Sequence, residues 1–231
     1  MNRFLRMGMM AAGLALVFNV LAVTETNAQN ILNTILKRMD AHYKALASVK
    51  SDLKMVKLNA QINESDTTEG TLMLLPKTAK RAMYARIDWA KPVVENIAVI
   101  GDSYTLYRPR LNQVYKGKTN KTGNKVPGGA LAFLSMSKAQ LMDNYVVDYL
   151  GQEQISGGVE TWHLRMTPKV ATSYKTAEIW VDGDGMPQMA KVSENNGDTT
   201  TIQLSNISKN VTINGSDFVI NYPKSIKPIQ G

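Results

Sequence analysis

From Val49 onward, apolar residues recur at every second position in one segment after another, and Gly, Pro, Asn and Asp separate the segments. A period of two sends successive side chains to opposite faces. Each segment therefore reads as a strand with one apolar face, and the short connections make neighbours antiparallel. Ile87 to Val114 shows the pattern best. It breaks at Lys91-Pro92, resumes through Ile97, Val99 and Ile100, turns at Gly101-Asp102-Ser103, and resumes through Tyr104, Leu106 and Tyr107. Such a sheet has a face rich in Trp, Tyr, Ile and Val that something must cover.

The same period predicts a hairpin from Ser51–Asn63 and Gly70–Leu75, with the polar segment Glu64–Glu69 as its turn. Ala82–Trp89 follows as a strand, with Met83, Ile87 and Trp89 on one face and Tyr84, Arg86 and Asp88 on the other. Further strands are predicted at Tyr145–Leu150, Trp162–Thr167, Thr176–Val181, Gln188–Glu194 and Thr199–Ile207, and a last short one within Ser216–Tyr222. That makes about ten strands in one domain, with no internal repeat.

Two segments have a different period. In Asn30–Leu46, Ile31, Ile35, Met39 and Tyr43 form an i, i+4 row flanked by Leu32, Leu36 and Leu46, so a helix with an apolar stripe is expected there. Ala130–Met142 has no alternation and is more apolar than a solvated helix. It follows a polar, basic, Gly-containing stretch, Lys116–Lys125, which reads as a mobile loop, and the glycines Gly128 and Gly129. A helical insertion in that setting reads as a lid over the sheet.

Composition removes several functions. There is no cysteine, so there is no disulfide framework, thiolate metal site or cysteine nucleophile. The two histidines, His42 and His163, are too few for a histidine-rich metal site, and His42 reads as an ordinary helix residue. The net charge of +8 is spread along the chain without a dense basic block, which argues against nucleic acid as partner. Ser135-Met136-Ser137-Lys138 matches S-x-x-K and Lys121-Thr122-Gly123 matches K-T-G, but their order is reversed relative to penicillin-binding proteins and S-D-N is missing. Asp182-Gly183-Asp184 begins like a calcium loop, yet Pro187 and Ser193 stand where glycine and glutamate are needed, so a hairpin turn is expected. No G-x-S-x-G, phosphate loop or dinucleotide fingerprint occurs.

Residues 1–28 read as a secretory signal peptide. Arg3 and Arg6 precede an apolar run from Met7 to Val23, interrupted by Asn19, and Thr26-Asn27-Ala28 supplies a small-residue ending. The run falls short of the roughly 20 apolar residues of a spanning helix. A mature chain starting near Gln29 has no cysteine to acylate and is expected to work as an exported soluble protein.

Three blocks then carry a resemblance. The first is Trp89-x-Lys91-Pro92, Ile100-Gly101-Asp102, Thr105-Leu106-Tyr107 and Pro109-x-Leu111-Asn112-Gln113-Val114. The second is Leu164-x-Met166-Thr167-Pro168-Lys169, Tyr174-Lys175, Glu178-Ile179-Trp180-Val181-Asp182 and Asp184-Gly185-Met186-Pro187; the third is Thr199–Ile207 followed by Phe218 and Pro223. In this order and spacing the chain resembles the periplasmic outer-membrane lipoprotein carrier proteins, LolA and LolA-like, over nearly all of residues 29–231.

The resemblance implies a mainly β fold with some α: a single strongly curved antiparallel sheet, an incomplete barrel, whose concave face is capped by the first helix and a helical lid. It implies a monomeric periplasmic carrier, not an enzyme, with no cofactor and no metal. Such a carrier takes the acyl chains of lipoproteins from an inner-membrane ABC transporter of the LolCDE kind and brings them towards an outer-membrane acceptor. On the inferred inner faces, the cavity-lining residues are Met83, Ile87, Trp89, Ile97, Val99, Leu106, Trp162, Leu164, Met166, Ile179 and Val181. The covering helices add Ile35, Met39, Leu131, Leu134, Leu141 and Met142. A register error of one residue flips a whole strand. The family's lid-coupling arginine after the second strand has no counterpart, since Leu74-Leu75-Pro76-Lys77 stands there; Lys77, Lys80 and Arg81 are the candidates to replace it. Nine methionines follow residue 28, and their flexible thioethers suit a cavity that fills and empties. A lipid sensor or a carrier of another lipid with the same fold, and more remotely a lipid or cell-wall hydrolase, are the alternatives.

Overall fold

The computed structural model describes residues 15–119, 129–134 and 136–231, with the side chains of residues 15–26 and 129–131 outside that description. The chain opens with helix α1 (Ala15–Ala45). Six strands follow: β1 (Val49–Asn59), β2 (Glu64–Leu75), β3 (Tyr84–Lys91), β4 (Glu95–Ile100), β5 (Ser103–Arg108) and β6 (Gln113–Lys118). Two short helices, α2 (Gly129–Leu134) and α3 (Lys138–Asn144), lead into β7 (Tyr145–Ile155), β8 (Val159–Pro168), β9 (Tyr174–Val181), β10 (Pro187–Glu194) and β11 (Thr199–Lys209). A two-residue β12 (Ile229–Gln230) comes last.

The twelve strands among the described residues belong to one sheet, in the order β12-β6-β5-β4-β3-β2-β1-β11-β10-β9-β8-β7. Each pairing is antiparallel except that of β12 with β6. Two hairpin meanders are thus joined where β1 meets β11, with Leu53 opposite Leu204. The sheet stays open, with β12 beside β6 at one edge and β7 at the other. Between these two margins in sequence stand α2 and α3, and α2 packs on β9, β10 and β11.

The inward side chains are those the period of two predicts. β1 alternates buried and exposed from Val49 to Met55, and Leu53, Leu72, Ile87, Ile97, Leu164, Ile179, Ala190 and Ile202 join one continuous core. Against it lies the α1 stripe of Leu32, Ile35, Leu36 and Met39, all buried. The opposite face of the sheet has a smaller cluster of its own. Phe218, fully buried, meets Tyr84 edge to face at 5.5 Å, and Arg86 Nη1 donates to the Asp217 carbonyl at 2.7 Å.

Three expectations need correction. Glu64–Glu69 is strand, not turn: the hairpin bends over residues 60–63, and its outer ladder runs polar and mostly exposed beyond the core. The chain after Ser216 forms a 3-10 turn, Gly215–Phe218, because Asn214 and Asp217 cap each other through side-chain hydrogen bonds, which compete with a ladder. Lys116–Lys118, expected in a loop, extends β6. The expected loop 120–125, the K-T-G fragment, Ser135 and Gly128 lie outside the described residues.

Candidate functional site

Along one half of the concave face, the core is not filled. A cavity of about 550 Å³ opens between the C-terminal turns of α1 and the β2–β4 portion of the sheet. Its floor is Leu72 and Leu74 of β2, Ala85 and Ile87 of β3, and Ile97 and Val99 of β4, with Met83 just before β3. Its walls and roof are Met39, His42, Tyr43 and Leu46 of α1, Ala132 and Leu134 of α2, Met136, Gln140 of α3, Gly185 of the β9–β10 turn and Pro187 at the start of β10. Pro76, Lys77, Gly101 and Thr119 complete the rim. The volume lies within the range of single small-molecule sites, and the lining is chiefly aliphatic.

The roof is anchored from the other half of the sheet. Phe133 of α2 is buried between two tyrosine rings, edge to face with Tyr145 at 5.6 Å and Tyr174 at 6.0 Å. Their hydroxyls share a 2.6 Å hydrogen bond. Burial, with that bond second, raises the Tyr174 hydroxyl well above the ordinary phenol value, so it stays neutral. This anchoring places Ala132 and Leu134 at the cavity. α3 starts in a reciprocal cap: Ser137 Oγ accepts from the Gln140 amide at 3.3 Å, and Gln140 Oε1 accepts from the Ser137 amide at 2.9 Å. The Ser137 and Lys138 part of the S-x-x-K match is therefore a helix start.

The rim of α1 is held by the β9–β10 turn. Asp182 Oδ1 accepts from the amides of Asp184 and Met186 at 2.9 and 2.8 Å, which makes this the hairpin turn expected from Asp182-Gly183-Asp184. Arg38 Nη1 donates to the Gly183 carbonyl at 2.8 Å, and its guanidinium lies 5.0 Å from the Trp162 ring centroid. His42, one turn further on, borders the cavity with its Nε2 buried and without a hydrogen-bond partner. Burial lowers its pKa below the ordinary 6.5, the Lys209 charge lowers it further, and Asp182 and Asp184 oppose the change.

Of the lining residues named from the sequence, the cavity brings together Met39, Met83, Ile87, Ile97, Val99 and Leu134, and Lys77 stands at its rim. Others lie in the filled half: Ile35, Leu141, Leu164, Met166, Ile179 and Val181 have no exposed surface, and Trp89 is 4% exposed. There Leu32, Ile35 and Leu36 of α1, Leu141 of α3 and the sheet share one buried apolar core. Trp162 is half-buried under Arg38, Leu106 is half-buried against the core, and Met142 is 41% exposed on the outer side of α3. The Leu131 side chain lies outside the described residues. Lys80 is exposed away from the cavity, and Arg81 donates to the Pro76 carbonyl at 3.3 Å within the β2–β3 loop rather than to a helix of the roof.

The sequence reading missed His42, Tyr43, Leu46, Leu72, Leu74, Ala85 and Met136 as cavity residues. Leu72, Leu74 and Ala85 carried a usable signal. In the observed register Leu72 faces Ile87, and Leu74 faces Ala85, so extending the Ile87 face across one hairpin finds them.

Comparison with known proteins agrees with this architecture. The model of the family described as outer membrane lipoprotein carrier protein LolA matches residues 44–221. A curated outer-membrane lipoprotein carrier protein of Methylobacillus flagellatus is 24% identical over 185 residues, covering 80% of this chain and 83% of that one. Among solved structures, an uncharacterized conserved protein of Thermus thermophilus has a TM-score of 0.56 at 12% identity, over 87% of this chain and 99% of that one. MucB has a TM-score of 0.53 at 12% identity, over 85% of this chain and 63% of its own. At such identities the solved structures establish the fold alone. The family match spans most of the strands and helices described above, and on that ground the chain belongs to the LolA family of outer membrane lipoprotein carrier proteins.

Proposed function

We propose that this protein is a periplasmic carrier that holds the acyl chains of lipoproteins in the cavity and shuttles them from the inner membrane towards the outer membrane. The observation that carries the reading is the 550 Å³ of apolar space left open beside an otherwise tightly filled core. Moving an acyl chain from lipid into water costs about 0.8 kcal/mol per methylene, so a chain of about sixteen carbons costs on the order of 10 kcal/mol. A dry, mostly aliphatic pocket with an open rim offsets that cost and still permits release. Met39, Met83 and Met136 give its wall adaptable surface. The name of the Methylobacillus relative supports lipoprotein as cargo.

Export follows from the same reading. Residues 1–28 act as a cleaved signal peptide. Cleavage after Ala28 leaves the buried stripe of α1, which begins at Leu32, intact. Among the described residues no helix is long and apolar enough to cross a membrane. An inner-membrane ABC transporter is the donor, an outer-membrane component or surface is the acceptor, and the protein carries no catalytic residue.

Native mass spectrometry of protein purified from an exporting host tests the reading. Acylated lipoprotein or fatty acid should be retained by the wild type and lost from Leu134→Asp, which places a carboxylate in the roof. A wild type that carries no lipid and fails to displace a fluorescent fatty acid would overturn it.

A further inference from the structure

The antiparallel meander puts the β1–β2, β3–β4 and β5–β6 turns at one end of the sheet and the β2–β3 and β4–β5 connections at the other. The rim residues Pro76, Lys77, Gly101 and Thr119 belong to the second end. At the first end, two neighbouring turns expose aliphatic side chains. Val93 and Val94, after β3, are 38% and 45% exposed, and Leu111, between β5 and β6, is 60% exposed. Arg108 Nε, 3.0 Å from Glu95 Oε1, links the two turns. Leu111 is held out by its own turn: Pro109 opens a 3-10 turn that Asn112 closes at a φ of +50°, its amide donating to the Pro109 carbonyl at 3.1 Å. A third turn, in which the Ile226 amide donates to the Pro223 carbonyl at 3.0 Å, lies beside Asn112. One exposed aliphatic residue is ordinary on a protein surface, whereas three on adjoining tips mark a contact surface.

The free charge around these tips has one sign. Residues 103–116 and 218–231 contain no Asp or Glu. Arg110, Lys224 and Lys227 are exposed, and among the described residues no carboxylate lies within salt-bridge distance of any of them. Glu95 and Glu69, next to the β3–β4 turn, already pair with Arg108 and Lys91. Just behind the tips stand Tyr107 and Tyr222, half-buried, with ring centroids 6.1 Å apart. Aliphatic tips with cationic flanks and tyrosines close behind are what the boundary between acyl chains and headgroups accommodates. The β1–β2 hairpin also exposes an aliphatic residue, Ile62, but its ladder carries the exposed carboxylates Glu64 and Asp66, which an anionic surface repels.

We infer that this end of the sheet docks on an anionic phospholipid bilayer, with Val93, Val94 and Leu111 entering the headgroup region and Arg110, Lys224 and Lys227 pairing with lipid phosphates. A protein partner would also cover aliphatic tips, but unpaired cations on separate turns, with no free carboxylate among them, fit a surface of many phosphates better. Docking at this end leaves the cavity opening, at the other, uncovered. The inference stands or falls independently of what the cavity holds.

Co-sedimentation of the purified protein with vesicles tests it, using phosphatidylcholine alone and equimolar phosphatidylcholine and phosphatidylglycerol. Binding should be about tenfold tighter or more to the mixed vesicles and should weaken as salt is raised. Val94→Asp combined with Leu111→Asp should lower it about tenfold or more. Arg110→Gln and Lys227→Gln should each lower it about fivefold. Ile62→Asp should leave it unchanged, and every variant should melt with the wild type, because each replaced side chain is exposed. A wild type that ignores both kinds of vesicle overturns the inference and assigns the tips to a protein partner. Undiminished binding of the Val94 and Leu111 double variant overturns it as well, since the net positive charge of the chain would then suffice. So does a loss in Ile62→Asp equal to that of the double variant.

Discussion

A Cβ placed on Gly185 would overlap the carbonyl carbon and oxygen of Arg38 and sit 2.6 Å from the Met39 amide nitrogen. The β9–β10 turn therefore touches α1 backbone to backbone, at the rim of the cavity, and only a glycine permits that approach. The residue also has a φ of +89°, a region other residues rarely enter. Gly185→Ala should cost about 2 kcal/mol or more and lower the melting temperature by roughly 4–8 °C in a chain of this size. Gly183→Ala in the same turn has open space around its Cβ and should change little. Thermal unfolding followed by circular dichroism separates the two. Equal melting temperatures for both variants would remove the argument that this contact fixes α1.

The roof makes a second prediction. Phe133 is the residue by which α2 grips the sheet, between Tyr145 and Tyr174. Phe133→Ala should weaken that docking by about 3 kcal/mol. Amide exchange should speed up in α2 while the β8–β10 ladders keep their protection. Tyr174→Phe removes one hydroxyl of the shared hydrogen bond and should cost about 1 kcal/mol. If exchange rises equally across the sheet, α2 is part of the global folding unit and not a separately held roof.

The strand pattern was legible because each inward face had to be apolar, and Ile87, Ile97, Leu164 and Ile179 are where a period of two puts them. What the period did not show was the polar ladder from Glu64 to Glu69. None of its residues is fully buried, and backbone pairing with β1, with the Lys91–Glu69 ion pair at its inner end, holds it. The same limit applied to the cavity. An inward aliphatic residue looks alike whether it meets another side chain or empty space, so Val99 beside the opening and Val181 in the solid half have the same sequence signature. Which half stays open depends on where α1 and α2 rest, and that is set by Gly185 against Arg38 and by Phe133 between two tyrosines. Neither contact shows in a pattern of apolar residues.

His42 makes the chain sensitive to mild acid. Its folded pKa lies below 6.5, chiefly through burial, so between that lower value and 6.5 the unfolded chain binds more protons than the folded one. The stability associated with neutral His42 is complete above pH 6.5, declines as the pH falls below it, and stops declining once the folded imidazole is itself protonated. In His42→Gln this loss is absent. The gap in melting temperature between wild type and variant should therefore shift steadily against the wild type from about pH 7.5 down to about 5. Parallel curves over that range would mean that His42 titrates as if unburied.

Ala85 and Val99 face each other directly across β3 and β4, and both line the cavity, so their side chains point into open space. Ala177, on β9, is an alanine of the same sheet with no exposed surface. The two positions should respond oppositely to one change. Ala85→Phe, alone or with Val99→Phe, adds rings to the floor of an unfilled space. A cross-strand aromatic pair contributes about 0.2–1 kcal/mol, so the melting temperature should hold or rise slightly. The affinity for a bound acyl chain should fall by about tenfold, because the rings take up volume the chain needs. Ala177→Phe forces the same ring into filled core and should cost about 1–3 kcal/mol through displaced neighbours. Thermal unfolding and fatty-acid displacement on the three variants read both effects. Should Ala85→Phe destabilise the fold as much as Ala177→Phe, the space over β3 and β4 is not open in solution, and a carrier without that space has nowhere to keep its cargo.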